Sequence, residues 1–207
     1  MNEQESMWAG DFGDDYTRRM NGNVWIESNI AFFAEALKKA KGIKTVLELG
    51  CNRGLNLAAL EYLDPSTIKT GLDINAKALH EMANMFEGLG FEQPYTHCNS
   101  VANFETLNTY DLVFTKGVLI HINPDQLELV YDKIYNLSNR YILLCEYYNP
   151  SPTEIPYHGM TDRLYKRDFA GDMIEKYNLN LVDYGFWYRR DKHYQDDLTY
   201  FLLEKGN

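Results

Sequence analysis

Cysteine is scarce in this chain of 207 residues: there are three, Cys51, Cys98 and Cys145, an odd number with no close pair. That spacing argues against a disulfide framework, a thiolate zinc site and a thioredoxin-like redox pair, and no metal centre is expected. Proline is sparse too, at six residues, so no proline-rich linker divides the chain and one domain over residues 1–207 is the expectation. No apolar run approaches the roughly 20 residues of a membrane span. Met1-Asn2-Glu3-Gln4-Glu5 has neither the basic region nor the apolar core of an export signal, which points to the cytoplasm and leaves Asn136-Leu137-Ser138 meaningless as a glycan acceptor. Positive charge is short as well. With 20 Lys and Arg against 30 Asp and Glu, the net charge of −10 disfavours nucleic acid and anionic membranes and leaves a small molecule as the expected partner.

What the chain does hold is an organising stretch, Val46-Leu47-Glu48-Leu49-Gly50-Cys51-Asn52-Arg53-Gly54. Residues 44–49 have the length and β-branched content of a buried strand, and residues 55–62 carry apolar side chains at helical spacing. The glycines therefore fall in a strand-to-helix turn, where Gly50 permits a sharp bend, Gly54 lets the helix start close to the strand, and free N–H groups meet electron-rich ligand atoms. A dinucleotide dehydrogenase also has such a turn. Glu48 separates the two, because a carboxylate before the first glycine repels a pyrophosphate and suits a ligand with positive charge. S-adenosylmethionine, with its ammonium and sulfonium and no phosphate, fits. An acid about 20 residues beyond the turn is needed for the ribose hydroxyls, and Asp73 in Thr70-Gly71-Leu72-Asp73-Ile74-Asn75 supplies it.

With both acids in place the pattern resembles the class I S-adenosylmethionine-dependent methyltransferases, whose first motif is commonly acid-x-Gly-x-Gly-x-Gly. Asn52 stands where the middle glycine usually sits; asparagine is the non-glycine residue that best tolerates left-handed backbone angles. The resemblance implies an α/β fold: a Rossmann-like, doubly wound, seven-stranded and mostly parallel sheet that ends in an antiparallel hairpin.

The rest of the chain reads consistently with it. Residues 24–40 form an amphipathic helix closed by Gly42, and residues 68–74 a second strand, followed by a helix over 76–87 with Asn75 as its cap and Gly88 as its end. Short strands follow at 95–98 and 110–115. Asn123-Pro124-Asp125-Gln126 opens a helix with an asparagine cap, proline at the first position and glutamine closing a capping box. A strand at 140–145, a helix over 168–176 and two strands at 179–190 and 197–204 complete the series. Two segments stay outside it. Residues 1–23 are read as an arm or folded-over lid rather than a helix, because Gly10 and Gly13 interrupt the Trp8, Phe12, Tyr16 spacing. Residues 150–167, with Pro150, Pro152 and Pro156, are read as an irregular substrate cover.

A narrower resemblance takes in the ends. Trp8 to Tyr16, the loop from Glu48 to Leu57, the run Lys116-Gly117-Val118-Leu119-Ile120-His121-Ile122-Asn123-Pro124 and the segment Tyr147-Tyr148-Asn149-Pro150-Ser151-Pro152 look like the methylases associated with pseudaminic acid biosynthesis. This implies O-methylation of an acidic nine-carbon sugar or its nucleotide-linked form; another small carboxylate, amine or nucleoside acceptor and a non-catalytic S-adenosylmethionine-binding module are the alternatives. The cofactor residues implied are Trp8, Tyr16, Glu48, Gly50, Cys51, Asn52, Gly54, Asp73, Ile74, Asn99, Ser100, Val101, Lys116, Gly117 and Val118. His121, titratable near neutrality, is the first candidate for general base, with Glu146, Tyr147 and Asp162 behind it. Tyr148, Asn149, His158, Arg163 and Arg167 are the candidate substrate contacts, the two arginines because a guanidinium forks onto a carboxylate or phosphate.

Overall fold

The run read as the first strand is buried because helices cover both its faces. In the computed structural model it is β1 (Thr45–Leu49), buried from Val46 onward. The structure describes all residues except 21, 22, 158, 160, 162, 194, 195 and 207. β2 (Ile68–Asp73) and β3 (Tyr95–Cys98) lie parallel on one side of β1, and β4 (Tyr110–Lys116) and β5 (Ser138–Glu146) on the other. A two-stranded ribbon, β6 (Thr153–Glu154) with β7 (Tyr165–Lys166), stands apart. β8 (Asn180–Trp187) and β9 (Leu198–Glu204) close the sheet as an antiparallel hairpin, giving the order β3-β2-β1-β4-β5-β9-β8 over seven strands. The expected class I methyltransferase architecture is present.

Among the described residues seven α-helices surround the sheet: α1 (Glu3–Ala9), α2 (Asp11–Arg19), α3 (Asn23–Ala36), α4 (Leu55–Leu63), α5 (Ala76–Leu89), α6 (Pro124–Leu137) and α7 (Phe169–Tyr177). One core layer sets Phe32 and Phe33 of α3, Leu57 of α4 and Met82 and Phe86 of α5 against Leu112, Phe114 and Leu143. The other sets Val130 and Ile134 of α6 and Met173 of α7 against Leu47, Val113 and Ile142. Full burial of such a side chain stabilises by roughly 1.5–3 kcal/mol, which explains why these helices, unremarkable in isolation, form here.

Several local expectations are corrected. The arm is helical, since Asn2 and Glu5 form a capping box at the start of α1 and Gly10 serves as the joint between α1 and α2. Gly13 inside α2 is there for proximity: a Cβ would stand 1.9 Å from the Trp8 carbonyl oxygen and 2.9 Å from Asn75 Nδ2. α3 stops at Ala36 and not at 40. Gly88 lies inside α5, whose left-handed end is Gly90. Gln126 does not return to its own cap; its Oε1 accepts from Asn2 Nδ2 at 2.9 Å and ties α6 to the arm. Segment 150–167 holds the β6–β7 ribbon.

Asn75 joins three parts. Its Oδ1 accepts from the N–H groups of Lys77 and Ala78 at the start of α5, and its Nδ2 donates to the Trp8 carbonyl and to Asp14. Asn75→Ala should therefore cost about 1–2 kcal/mol in urea unfolding, the scale of a lost N-cap, and speed amide exchange in α2. Unchanged exchange there would show that the arm is held by other contacts.

Candidate active site

Five parallel strands end at one edge of the sheet, where ligands of open α/β folds bind, and a large cavity opens there. Its empty volume is about 1280 Å³, counted out to the open mouth. The glycine loop forms its floor. Gly50 has φ +78°, and a Cβ there would stand 2.5 Å from Val118 Cγ2, so only glycine lets the loop close on the turn after β4. Asn52 takes φ +46°, the left-handed angle its side chain was expected to tolerate. Gly54, at φ +75°, faces Met82 of α5 and not the cavity.

Asp73 lines the wall at the end of β2. Its Oδ2 accepts from the Asn52 N–H at 2.6 Å and its Oδ1 from the Asn75 N–H at 2.8 Å. Burial raises its pKa, against the lowering effect of these backbone donors. A carboxylate has about four acceptor sites, so Asp73 keeps capacity for ligand hydroxyls. Ile74, Asn99, Ser100 and Val101 continue this wall, while Trp8, Tyr16, Cys51, Asn52, Lys116, Gly117 and Val118 line the remainder. Thirteen of the fifteen expected cofactor residues thus meet in one cavity; the exceptions are Gly54 and Glu48.

Glu48 lies beneath the floor. Asn56 Nδ2 donates to its Oε1 at 2.5 Å, while its Oε2 has no hydrogen-bond partner among the described residues. Burial pushes its pKa up to about 8, opposed by Asn56 and by the Lys116 ammonium. Lys116 sits nearby with its own pKa lowered by burial, its Nζ 5.8 Å from the centre of the Phe32 ring. Glu48 therefore reaches the ligand space through Asn56, which lines the cavity, and not directly.

His121 ends the 3₁₀ turn Leu119–His121 and lines the cavity. Its Nδ1 is 2.8 Å from the Arg163 carbonyl oxygen, which can only accept, so Nδ1 carries the proton and Nε2 keeps its lone pair. Its ring packs against Trp8 and Tyr157, at 4.9 and 5.0 Å between centroids. Burial pulls its pKa down to about 4, so the imidazole is neutral at pH 7.

The other catalytic and substrate candidates are placed elsewhere. Glu146 does not line the cavity; its oxygens accept from the Val118 and Ile120 N–H groups at 3.1 and 3.4 Å, fixing the turn that carries His121. Burial raises its pKa to about 7. Tyr147 is hydrogen-bonded to Asp196 behind the wall, and burial and that carboxylate raise its pKa. Tyr148 is exposed and packs on Phe201; Asn149 Nδ2 donates to the Ser151 carbonyl and to Thr153, bracing the ribbon. Arg163 pairs with Glu3 of α1 at 2.5 Å and Arg167 with Asp172 of α7 at 2.9 Å, so neither guanidinium points into the cavity. His158 and Asp162 lie outside the described residues. No described residue of 150–167 lines the cavity; the segment supports it from behind, with Tyr157 against His121 and Phe12.

Sequence reasoning missed Asn2, Gln4, Gly13, Trp25, Asn29, Asn56 and Gln126, which also line the cavity. Only Asn56, a polar side chain in the first turn of an apolar helix, carried a local signal. Five side-chain atoms of lining residues are buried without a hydrogen-bond partner among the described residues: Gln4 Nε2, Trp8 Nε1 and Arg53 Nε, which donate, and Asn52 Oδ1 and Asn56 Oδ1, which accept. A mixed set of this kind suits an amino-acid zwitterion joined to a nucleoside, and it lacks the all-donor character of a phosphate nest.

Residues 46–140 match the family model described as a methyltransferase domain. Residues 46–140 thus carry a methyltransferase domain, on a sheet of class I architecture. The likeness of fold extends beyond that match, as solved structures show. Magnesium protoporphyrin IX methyltransferase from Synechocystis, solved with S-adenosylmethionine bound, aligns at a TM-score of 0.73 over 100% of this chain and 99% of its own, with 13% identity. The 1,6-didemethyltoxoflavin-N1-methyltransferase of Burkholderia thailandensis gives 0.71 over 98% and 87%, with 15% identity. The N-methyltransferase NodS of Bradyrhizobium japonicum gives 0.68 over 90% and 99%, with 14% identity. A comparison with curated proteins finds no match. S-adenosylmethionine is the cofactor of a methyltransferase domain of this class, and the donors and acceptors in the cavity fit it. Among the described residues no group of side chains could hold a metal ion, and no helix is long and apolar enough to cross a membrane.

The buried Glu48 makes stability pH-dependent. Its folded pKa of about 8 exceeds the ordinary 4.5, so the native state holds the extra proton and loses relative stability as pH rises between those values. In the ligand-free protein, Glu48→Gln should gain stability relative to wild type across that window in urea titrations. A difference independent of pH would show that Glu48 is ionised throughout.

Proposed function

We propose that this methyltransferase domain transfers the methyl group of S-adenosylmethionine to a hydroxyl of a small polar acceptor, an acidic sugar of the pseudaminic acid type or its nucleotide-linked form. The observation that carries the transfer reading is the cavity itself, where Asp73, the glycine loop and the His121 turn face one ligand space. The acidic sugar rests on the sequence resemblance along nearly the whole chain; of the cations in the lining, Arg53 already faces Glu81 at 3.4 Å and Lys116 is buried beside Glu48. Arg163 and Arg167 do not contribute, which narrows the number of anionic groups the site can meet.

When bound, S-adenosylmethionine supplies an electrophilic methyl group. Asp73 would hold the ribose hydroxyls and the wall from Asn99 to Val101 the base. Asn56 and Asn52 would accept from the ammonium, and Gln4 and Trp8 would donate to the carboxylate. His121, neutral and fixed by its Nδ1–H bond, offers Nε2 to the acceptor hydroxyl. A pKa of about 4 makes it a weak proton carrier at neutral pH. Its contribution is to orient the hydroxyl oxygen toward the methyl carbon, and the aromatic rings of Trp8 and Tyr157 behind it limit water. Held alignment of this kind can replace much of the entropic barrier.

Methyl transfer from labelled S-adenosylmethionine to free and nucleotide-linked nine-carbon acidic sugars tests the reading. Label should enter an acidic sugar; transfer to neutral or amino acceptors alone would leave the methyltransferase and remove this substrate. His121→Ala should lower turnover by roughly 10-fold or more while calorimetry with S-adenosylhomocysteine shows nearly unchanged affinity. A matching loss of affinity would make His121 a structural residue.

A further inference from the structure

The edges of the sheet are unequal. β3, at one end, has four residues and is preceded by Pro94. Short length and proline are the usual devices that keep an edge from pairing with another chain. β8, at the other end, has eight residues and pairs only with β9 among the described residues. Its irregularity lies near the start, between Leu181 and Asp183, so the stretch beyond is regular.

That stretch is Asp183-Tyr184-Gly185-Phe186-Trp187-Tyr188-Arg189. Trp187 turns inward against Phe32 of α3. Tyr184, Phe186 and Tyr188 alternate with it and are 64%, 59% and 46% exposed. Three ring-bearing side chains in a row at an unpaired edge are unusual for a surface that meets only water.

The order of residues says what would meet it. Read in either direction from Phe186, the strand gives aromatic residues two positions away and opposite charges three positions away. An antiparallel neighbour with the same sequence, centred on Phe186, sets Tyr184 opposite Tyr188, Phe186 opposite Phe186, and Asp183 opposite Arg189. Aromatic and opposite-charge pairs are the favourable cross-strand pairs of an antiparallel sheet. Asp183 Oδ1 is bound by Lys39 Nζ at 2.9 Å and its Oδ2 is buried 4.0 Å from Lys38 Nζ, so pairing with an Arg189 opposite it requires the carboxylate to turn outward. The Arg189 side chain is 63% exposed, its Nε 3.6 Å from Asp197. An unrelated strand would have to reproduce this pattern, whereas a second copy has it by symmetry.

We propose that β8 pairs with β8 of a second copy across a two-fold axis at Phe186, joining two seven-stranded sheets into one. The axis stands perpendicular to the sheet, so α3 of both copies lies on the same face and the Tyr184, Phe186 and Tyr188 ladder on the other. Both active-site cavities stay open, because they lie at the strand ends and not at this edge. The net charge of −10 on each copy opposes association at long range, so added salt favours the pair by screening it.

Sedimentation of the full chain over a range of concentration and salt gives the first test, with a dimer favoured by salt as the expected result. Register is tested by oxidation of variants with one introduced cysteine on a Cys98→Ser background, since Cys98 is exposed while Cys51 and Cys145 are buried. Phe186→Cys should cross-link to itself; Tyr184→Cys should not, yet should cross-link when mixed with Tyr188→Cys. Phe186→Lys, which places like charges on the axis, should sediment as a monomer that binds S-adenosylhomocysteine as wild type does. A wild-type monomer throughout, or a dimer in which Phe186→Cys stays reduced, overturns the proposal.

Discussion

The structure depends on one carboxylate. Asp73 sits where β2 leaves the sheet and accepts from the backbone of the glycine loop on one side and of Asn75 on the other. Through the first bond it sets the loop floor; through the second it places Asn75, which caps α5 and holds the arm. Asn52 Nδ2, donating to Thr17 of α2 at 2.9 Å, closes the circuit between loop and arm. A residue that lines the cavity thus also assembles the wall around it. Ligand binding and arm packing share a partner, so they are expected to reinforce one another.

Two other buried acids act at second hand. Glu48 supports Asn56 under the floor and Glu146 fixes the backbone of the His121 turn. Both have raised pKa values because burial penalises their charge more than neighbouring donors compensate. His121 is displaced in the opposite direction for the same reason, burial favouring its neutral form. Its orientation depends on Arg163, whose carbonyl accepts the Nδ1–H hydrogen bond while its guanidinium reaches Glu3 of the arm. Segment 150–167 and the arm therefore meet at the catalytic histidine candidate, although no described residue of that segment lines the cavity.

The division between what was legible in the chain and what was not has a physical basis. β1 and β2, the glycine loop, the Asn75 and Asn123 caps and the closing hairpin all rest on local rules: apolar runs, left-handed turns, side-chain bonds to neighbouring N–H groups. Those rules operate within a few residues, so the sequence alone determined the fold class and most of the residues that line the cavity. The helices of the arm and the position of Gly88 inside α5 escaped because glycine was read as a breaker where packing or a later glycine decided. Only the tertiary structure placed Glu48 under Asn56, turned Glu146 from candidate base to backbone acceptor, and spent Arg163 and Arg167 on Glu3 and Asp172. Each of those outcomes depends on which residue, distant in the chain, lies within hydrogen-bond reach. Charge and residue type showed that a group was capable of binding; distance decided what it bound.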